Sequence, residues 1–228
     1  MKKLLKSENS GEKEKSISVN EVKYTPVPKK GDIIRFGHYP QNSDNQKSPI
    51  EWLVLDVKGE GKEALLISRY ALDCKPYHHS YNAITWEECD LRKWLNGDFL
   101  KSAFSEEEAE RILVSDIRND DNPEYHTEGG NNTKDRVFCL SISEAEQYFG
   151  NNKSRKCKPT AYARQHGAWV DNSNDCCCWW LRSPGCLQSL ATIVSSDVAL
   201  DGALDLGGDI VNIDDYAVRP TLRIICNQ

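Results

Sequence analysis

The sequence predicts an α+β protein built on a mainly antiparallel sheet with two to three short helices. Three observations carry this. Short apolar stretches bounded by Gly, Asn and Asp recur near the start of the chain and again beyond residue 177. Helix start signals cluster between them. No apolar run approaches the length of a bilayer span. Strands at both ends with helices in the middle indicate segregated elements rather than alternating βαβ units.

Taken in order, residues 32–36 read as a first strand closed by Gly37. Residues 50–57 and 63–68 read as strands, and Gly59 and Gly61 between them mark a hairpin. Thr85 followed by Glu88 fits a capping box, opening a helix to about Asn96 with Gly97 as its stop. Ser105 with Glu108 repeats the signal for a second helix. Residues 119–134 form a long polar connection of the kind that is often functional or mobile. A short strand is expected over 137–140 and a brief third helix over 143–150. Strands over 177–181, 191–194, 209–213 and 221–225 follow, with a turn near Asp201 and Gly202. Pairing of the first and last strands would bring the ends of the domain together.

Charge divides the chain. Residues 1–30 hold eight Lys and four Glu, a net +4, so the remainder of a chain with net charge −6 carries −10. This basic segment lacks periodicity and apolar content, and it reads as a disordered arm preceding a single domain over 31–228. Leu4 and Leu5 are followed at once by Lys6, so the apolar core of a signal peptide is missing and a cytoplasmic location is expected. The acidic balance argues against nucleic acid as a partner. An odd count of nine cysteines excludes full pairing within one chain, and reduced, buried thiols acting as small hydrophobes are expected.

The densest chemical signal is Cys176-Cys177-Cys178-Trp179-Trp180-Leu181-Arg182-Ser183-Pro184-Gly185. Side chains alternate faces along a strand, so one tryptophan is expected in the core and the other on a surface beside Arg182. Trp and Arg are the residues most enriched at binding hot spots, although both indoles packing inside and Arg182 holding a structural ion pair is the competing reading. Arg219 and the loop from Asp171 to Asp175 complete the candidate ligand-binding set of Trp179, Trp180, Arg182, Arg219, Asp171 and Asp175. Zinc would require Cys176 and Cys178 to converge with Cys186 and with His166 or Cys157; adjacent thiolates converge poorly, and no metal or other cofactor is expected. Asp197, Asp201, Asp205 and Asp209 recur at four-residue steps, but their order fits no calcium loop and reads instead as turn and edge-strand chemistry. His38, His78, His79, His126 and His166 sit in no nucleophile motif and read as exposed loop histidines.

Several stretches together carry a resemblance: Phe36-Gly37-His38-Tyr39-Pro40-Gln41, Leu91-Arg92-Lys93-Trp94-Leu95-Asn96, Trp179 to Gly185, and Val218-Arg219-Pro220 followed by Leu222. Over about residues 31–225 the chain resembles a bacterial domain family of unknown function that carries these signatures. The late Trp-Trp strand and the closing Val-Arg-Pro strand look like the end of C-type-lectin-like domains, including the formylglycine-generating-enzyme-like branch. That implies a lectin-like fold. The Trp-Asn-Asp triplet of calcium-dependent lectins is absent, and the paired copper-binding cysteines of the enzyme branch have no clear counterpart, since Cys226 stands alone after the last strand.

The expected function is a non-enzymatic recognition module for a protein or glycan ligand. A cysteine- or metal-dependent enzyme of the formylglycine-generating type is the alternative, and a scaffold whose basic arm docks an acidic partner is a third reading.

Overall fold

The structure, a computed structural model, describes residues 27–197 and 202–226. The expected arm therefore lies outside the described residues up to position 26, as does Asp201 of the expected turn.

The first sheet has the order β1-β2-β3-β12-β7, all neighbours antiparallel. β1 (Ile33–Pro40), β2 (Lys47–Lys58) and β3 (Glu63–Ser68) follow the expected hairpin pattern, with a 3-10 turn at Gly59–Gly61 between the last two. β1 does not stop at Gly37. It bulges between Arg35 and His38, with Gly37 at φ +69, and continues to Pro40. A Cβ at Gly37 would lie 2.5 Å from the Phe104 ring, so glycine permits both the bulge and a close approach.

β12 (Thr221–Ile225) lies between β3 and the short β7 (Val137–Phe138), not beside β1. Thr221, Leu222 and Ile224 are buried, which requires covered neighbours, whereas the exposed Ile33 of β1 suits an edge. The expected pairing of first and last strands is corrected accordingly.

The second sheet has the order β10-β9-β8-β11-β4. β8 (Trp179–Pro184) and β9 (Leu190–Val194) pair antiparallel, and β10 (Leu204–Ile210) occupies earlier residues than the strand expected over 209–213. β11 (Ala217–Val218) runs parallel to β8 and antiparallel to β4 (Asp73–Cys74). A ribbon of β5 (Ser115–Ile117) and β6 (Thr133–Asp135) brackets the long polar connection.

The helices are short and more numerous than the two or three expected. α1 (Asp90–Trp94) is capped by the Cys89 sulfur, which accepts from the Arg92 amide, so the helix starts after the Thr85 signal. Gly97 does not end it. The chain passes through a π-helical turn (Leu95–Phe99) into α2 (Leu100–Ala103), because this path buries both Leu95 and Phe99. α3 (Glu106–Arg111) has the predicted Ser105–Glu108 capping box, and α4 (Ile142–Tyr148) is opened by a box at Ser141 and Glu144 rather than at Ser143. α5 (Asn152–Arg155) and α6 (Ala161–Gln165) had no sequence signal strong enough to announce them. One buried cluster joins both sheets, anchored by Trp52, Trp86, Trp179 and Trp180.

Candidate functional site

Both tryptophans of β8 are fully buried. They do point to opposite sides, as alternation requires, but β8 is central in its sheet and both of its faces are covered. The expectation that one lines a surface is corrected by this placement. The Trp179 indole donates to the Arg155 carbonyl at 3.2 Å, and the Arg219 guanidinium lies 5.1 Å from its ring centroid. Arg219 donates from Nε to the Ser68 carbonyl at 3.0 Å, tying β11 to the end of β3. The Trp180 indole donates to the Lys75 carbonyl at 2.9 Å and meets Tyr216 edge-on, with centroids 4.9 Å apart. Arg182 donates to the carbonyls of Cys139 (2.8 Å) and Arg118 (3.0 Å) and pairs with Glu144. These side chains hold backbone to backbone and form no shared surface.

Asp171 and Asp175 occupy a surface loop. Asp171 accepts from the Ser173 amide at 2.8 Å and its hydroxyl at 2.6 Å. Asp175 adopts a left-handed backbone (φ 59) and pairs with Lys158 at 3.4 Å and Arg164 at 3.7 Å. The Asn174 side chain donates to the Ser196 carbonyl at 3.0 Å, which seats this loop against the end of β9.

Beside that contact opens a cavity of about 400 Å³, lined by Trp169, Tyr216, Ile193, Asp197, Asp205 and Asp215 among others. Trp169 is 48% exposed, and its amide donates to the Asp215 carbonyl at 2.9 Å. Tyr216 is fixed by its hydroxyl, which donates to Asp209 Oδ2 at 2.7 Å, and by the edge of Trp180 behind it. Asp215 is half-buried, with its Oδ1 sealed from solvent. Burial and the neighbouring Asp214 charge push the Asp215 carboxyl above the usual carboxylate range. The cavity thus combines an open aromatic face with an acidic wall of Asp197, Asp205 and Asp215. Sequence reasoning passed over Trp169 because a lone Trp outside any motif carries no spacing signal.

All nine cysteines are free, and eight are buried, with Cys186 half-buried. Burial raises the thiols of Cys74 and Cys89 to about 12 and pushes those of Cys139, Cys157 and Cys177 up as well. None of these has the depressed pKa that a thiolate nucleophile or ligand needs. Among the described residues, the group whose donor atoms converge closely enough to hold a metal is instead His78, His79 and Asp90. His78 is buried, against the expectation of an exposed loop histidine.

The chain belongs to the family described as a domain of unknown function, DUF6273, whose model matches residues 61–225. The match begins inside the β2–β3 hairpin, so the Phe36 to Gln41 stretch lies ahead of it. No curated protein and no solved structure matches the chain. Among the described residues no helix is long and apolar enough to cross a membrane.

Proposed function

We propose that this DUF6273 chain is a recognition module whose ligand enters the cavity beside Trp169. The observation that carries the reading is the half-exposed Trp169 indole set in a recess whose wall carries Asp197, Asp205 and Asp215. Carboxylates on the wall of a recess accept hydrogen bonds from ligand hydroxyls or amines, most strongly from charged ones. An open indole adds area and a face for stacking. Donor-rich ligands fit this chemistry: the hydroxyls of a glycan, or a Lys or Arg side chain of a protein, the latter favoured by the acidic surroundings.

In this reading the residues singled out from sequence act in two ways. Asp171 and Asp175 shape a loop at the rim, and Trp180 braces Tyr216 from behind. Trp179, Arg182 and Arg219 fix the sheet on which the rim is carried. Residues 31–228 serve as one domain, and the sheet carrying irregular loops supports the lectin-like reading of its fold. The raised thiols weigh against the cysteine-dependent alternative.

The test is a screen of glycan and basic-peptide arrays with the full chain, followed by titration of the best hit. Trp169→Ala and Asp215→Asn are expected to weaken binding by ~10-fold or more each, a loss of at least ~1.4 kcal/mol. Unchanged affinity in both folded variants would overturn the placement.

A further inference from the structure

We infer that His78, His79 and Asp90 form a binding site for a divalent transition-metal ion of the zinc type. The site is separate from the recognition cavity and does not depend on that reading.

Two tied backbone segments build it. The His78 amide donates to the Val211 carbonyl at 2.8 Å, and the Leu91 amide donates to the Tyr77 carbonyl at 3.1 Å. The Tyr77 hydroxyl in turn donates to the Arg182 carbonyl at 2.9 Å, so the loop is pinned to β8. These bonds hold the histidine pair against Asp90, the first residue of α1. Both imidazole Nδ1 atoms face the same carboxylate oxygen, Asp90 Oδ2: His78 at 2.7 Å, and His79 in closer contact still. The candidate donor atoms of all three residues lie within 4.8 Å of one another.

A simple histidine–carboxylate hydrogen bond accounts poorly for this arrangement. His78 is 8% exposed, and its Nδ1 is sealed yet makes no aligned hydrogen bond despite the short separation. The His79 amide also donates to Asp90 Oδ2, at 3.1 Å, so that one oxygen is already served. A buried imidazole nitrogen this close to a carboxylate oxygen without an aligned hydrogen bond is poorly satisfied, and a cation bound by both satisfies the two at once. Imidazole nitrogen with one carboxylate oxygen is a donor set suited to zinc and its neighbours, with bonds of ~2.0–2.2 Å. Accommodating those lengths requires the Asp90 carboxylate to part from both imidazoles; Asp90 lies at the start of α1, and His79, whose side chain is 72% exposed, is free to swing. Lys93, 3.6 Å from Asp90 Oδ1, is also exposed and does not cover the site. Three protein ligands leave a fourth position to water or an external donor.

The test uses the full chain with reduced thiols, stripped of metal by a chelator. Titration with Zn²⁺ is followed by calorimetry, and titration with Co²⁺ by visible absorption. One ion per chain is expected, with a cobalt spectrum free of thiolate-to-metal charge transfer. His79→Ala and His79→Gln are expected to melt like the parent chain and to bind Zn²⁺ at least ~100-fold more weakly, the upper end of what loss of an outer-shell partner causes. Absence of saturable binding, unchanged affinity in the His79 variants, or a thiolate band from the cysteines would each overturn the inference.

Discussion

Arg92 donates from Nε to Asp135 Oδ1 at 2.7 Å, joining α1 to the β5–β6 ribbon across 43 residues of chain. The Asp135 side chain is fully buried, and its other oxygen accepts from the Trp86 indole at 2.9 Å and the Thr133 hydroxyl at 2.8 Å. Removing Arg92 leaves a buried carboxylate with neutral partners alone. Arg92→Ala is expected to cost ~3 kcal/mol, the low end for breaking a buried pair, because those two donors remain. The midpoint of urea unfolding measures it, and a loss below ~1 kcal/mol would show that the pair is solvated.

Asn122 anchors the long polar connection. It is fully buried, its Nδ2 donates to the carbonyls of Pro184 and Leu206 at 2.8 Å each, and its Oδ1 accepts from the Glu124 and Tyr125 amides at 3.0 and 3.1 Å. Asn122→Ala should cost ~2–4 kcal/mol, since buried carbonyls lose their donor. Asn122→Asp should cost more, because a carboxylate then faces those carbonyls. Thermal melts rank the variants, and faster amide exchange over 119–134 in Asn122→Ala would confirm that this side chain orders the loop.

Gly37 is irreplaceable for a different reason. A Cβ there meets the Phe104 ring at 2.5 Å and the Ala103 carbonyl at 2.8 Å, on a backbone at φ +69. Gly37→Ala is expected to destabilise by more than ~1 kcal/mol, against the stabilisation that Gly→Ala brings where the backbone tolerates it. Chemical denaturation of the single variant suffices.

The buried thiols make the fold sensitive to alkali. A folded pKa raised above the unfolded value contributes stability that is complete below the unfolded pKa and is lost as pH rises toward the folded one. Cys74, moved from about 9 to about 12 chiefly by burial, places that window between about pH 9 and 12, and burial raises Tyr39 and Tyr77 as well. The melting temperature should therefore fall steadily across this range. At pH 8, native-state alkylation should reach the half-buried Cys186 first, with all nine cysteines reacting after unfolding. Rapid native labelling of several cysteines would contradict the packing.

Fold class, several elements and the burial of the cysteines can be read along the chain alone. The β2–β3 hairpin, the closing strand over 221–225 and the Ser105–Glu108 capping box were legible because turn glycines and capping pairs act through immediate neighbours. Arg92, Trp179, Trp180, Arg182 and Arg219 stood out in motifs, but motif text does not distinguish a side chain that grips a ligand from one that grips a distant carbonyl. Tertiary structure decided that for β8 by placing a strand on either side and covering both faces, which buries the indoles and turns the arginines to the backbone. It likewise carried the helix past Gly97, since burying Leu95 and Phe99 outweighs a local stop signal. Trp169 with Asp215, and His78 with Asp90, are brought together only by folding. Local rules reach three or four residues along the chain, whereas burial and charge pairing act between segments that the sheets alone bring into contact.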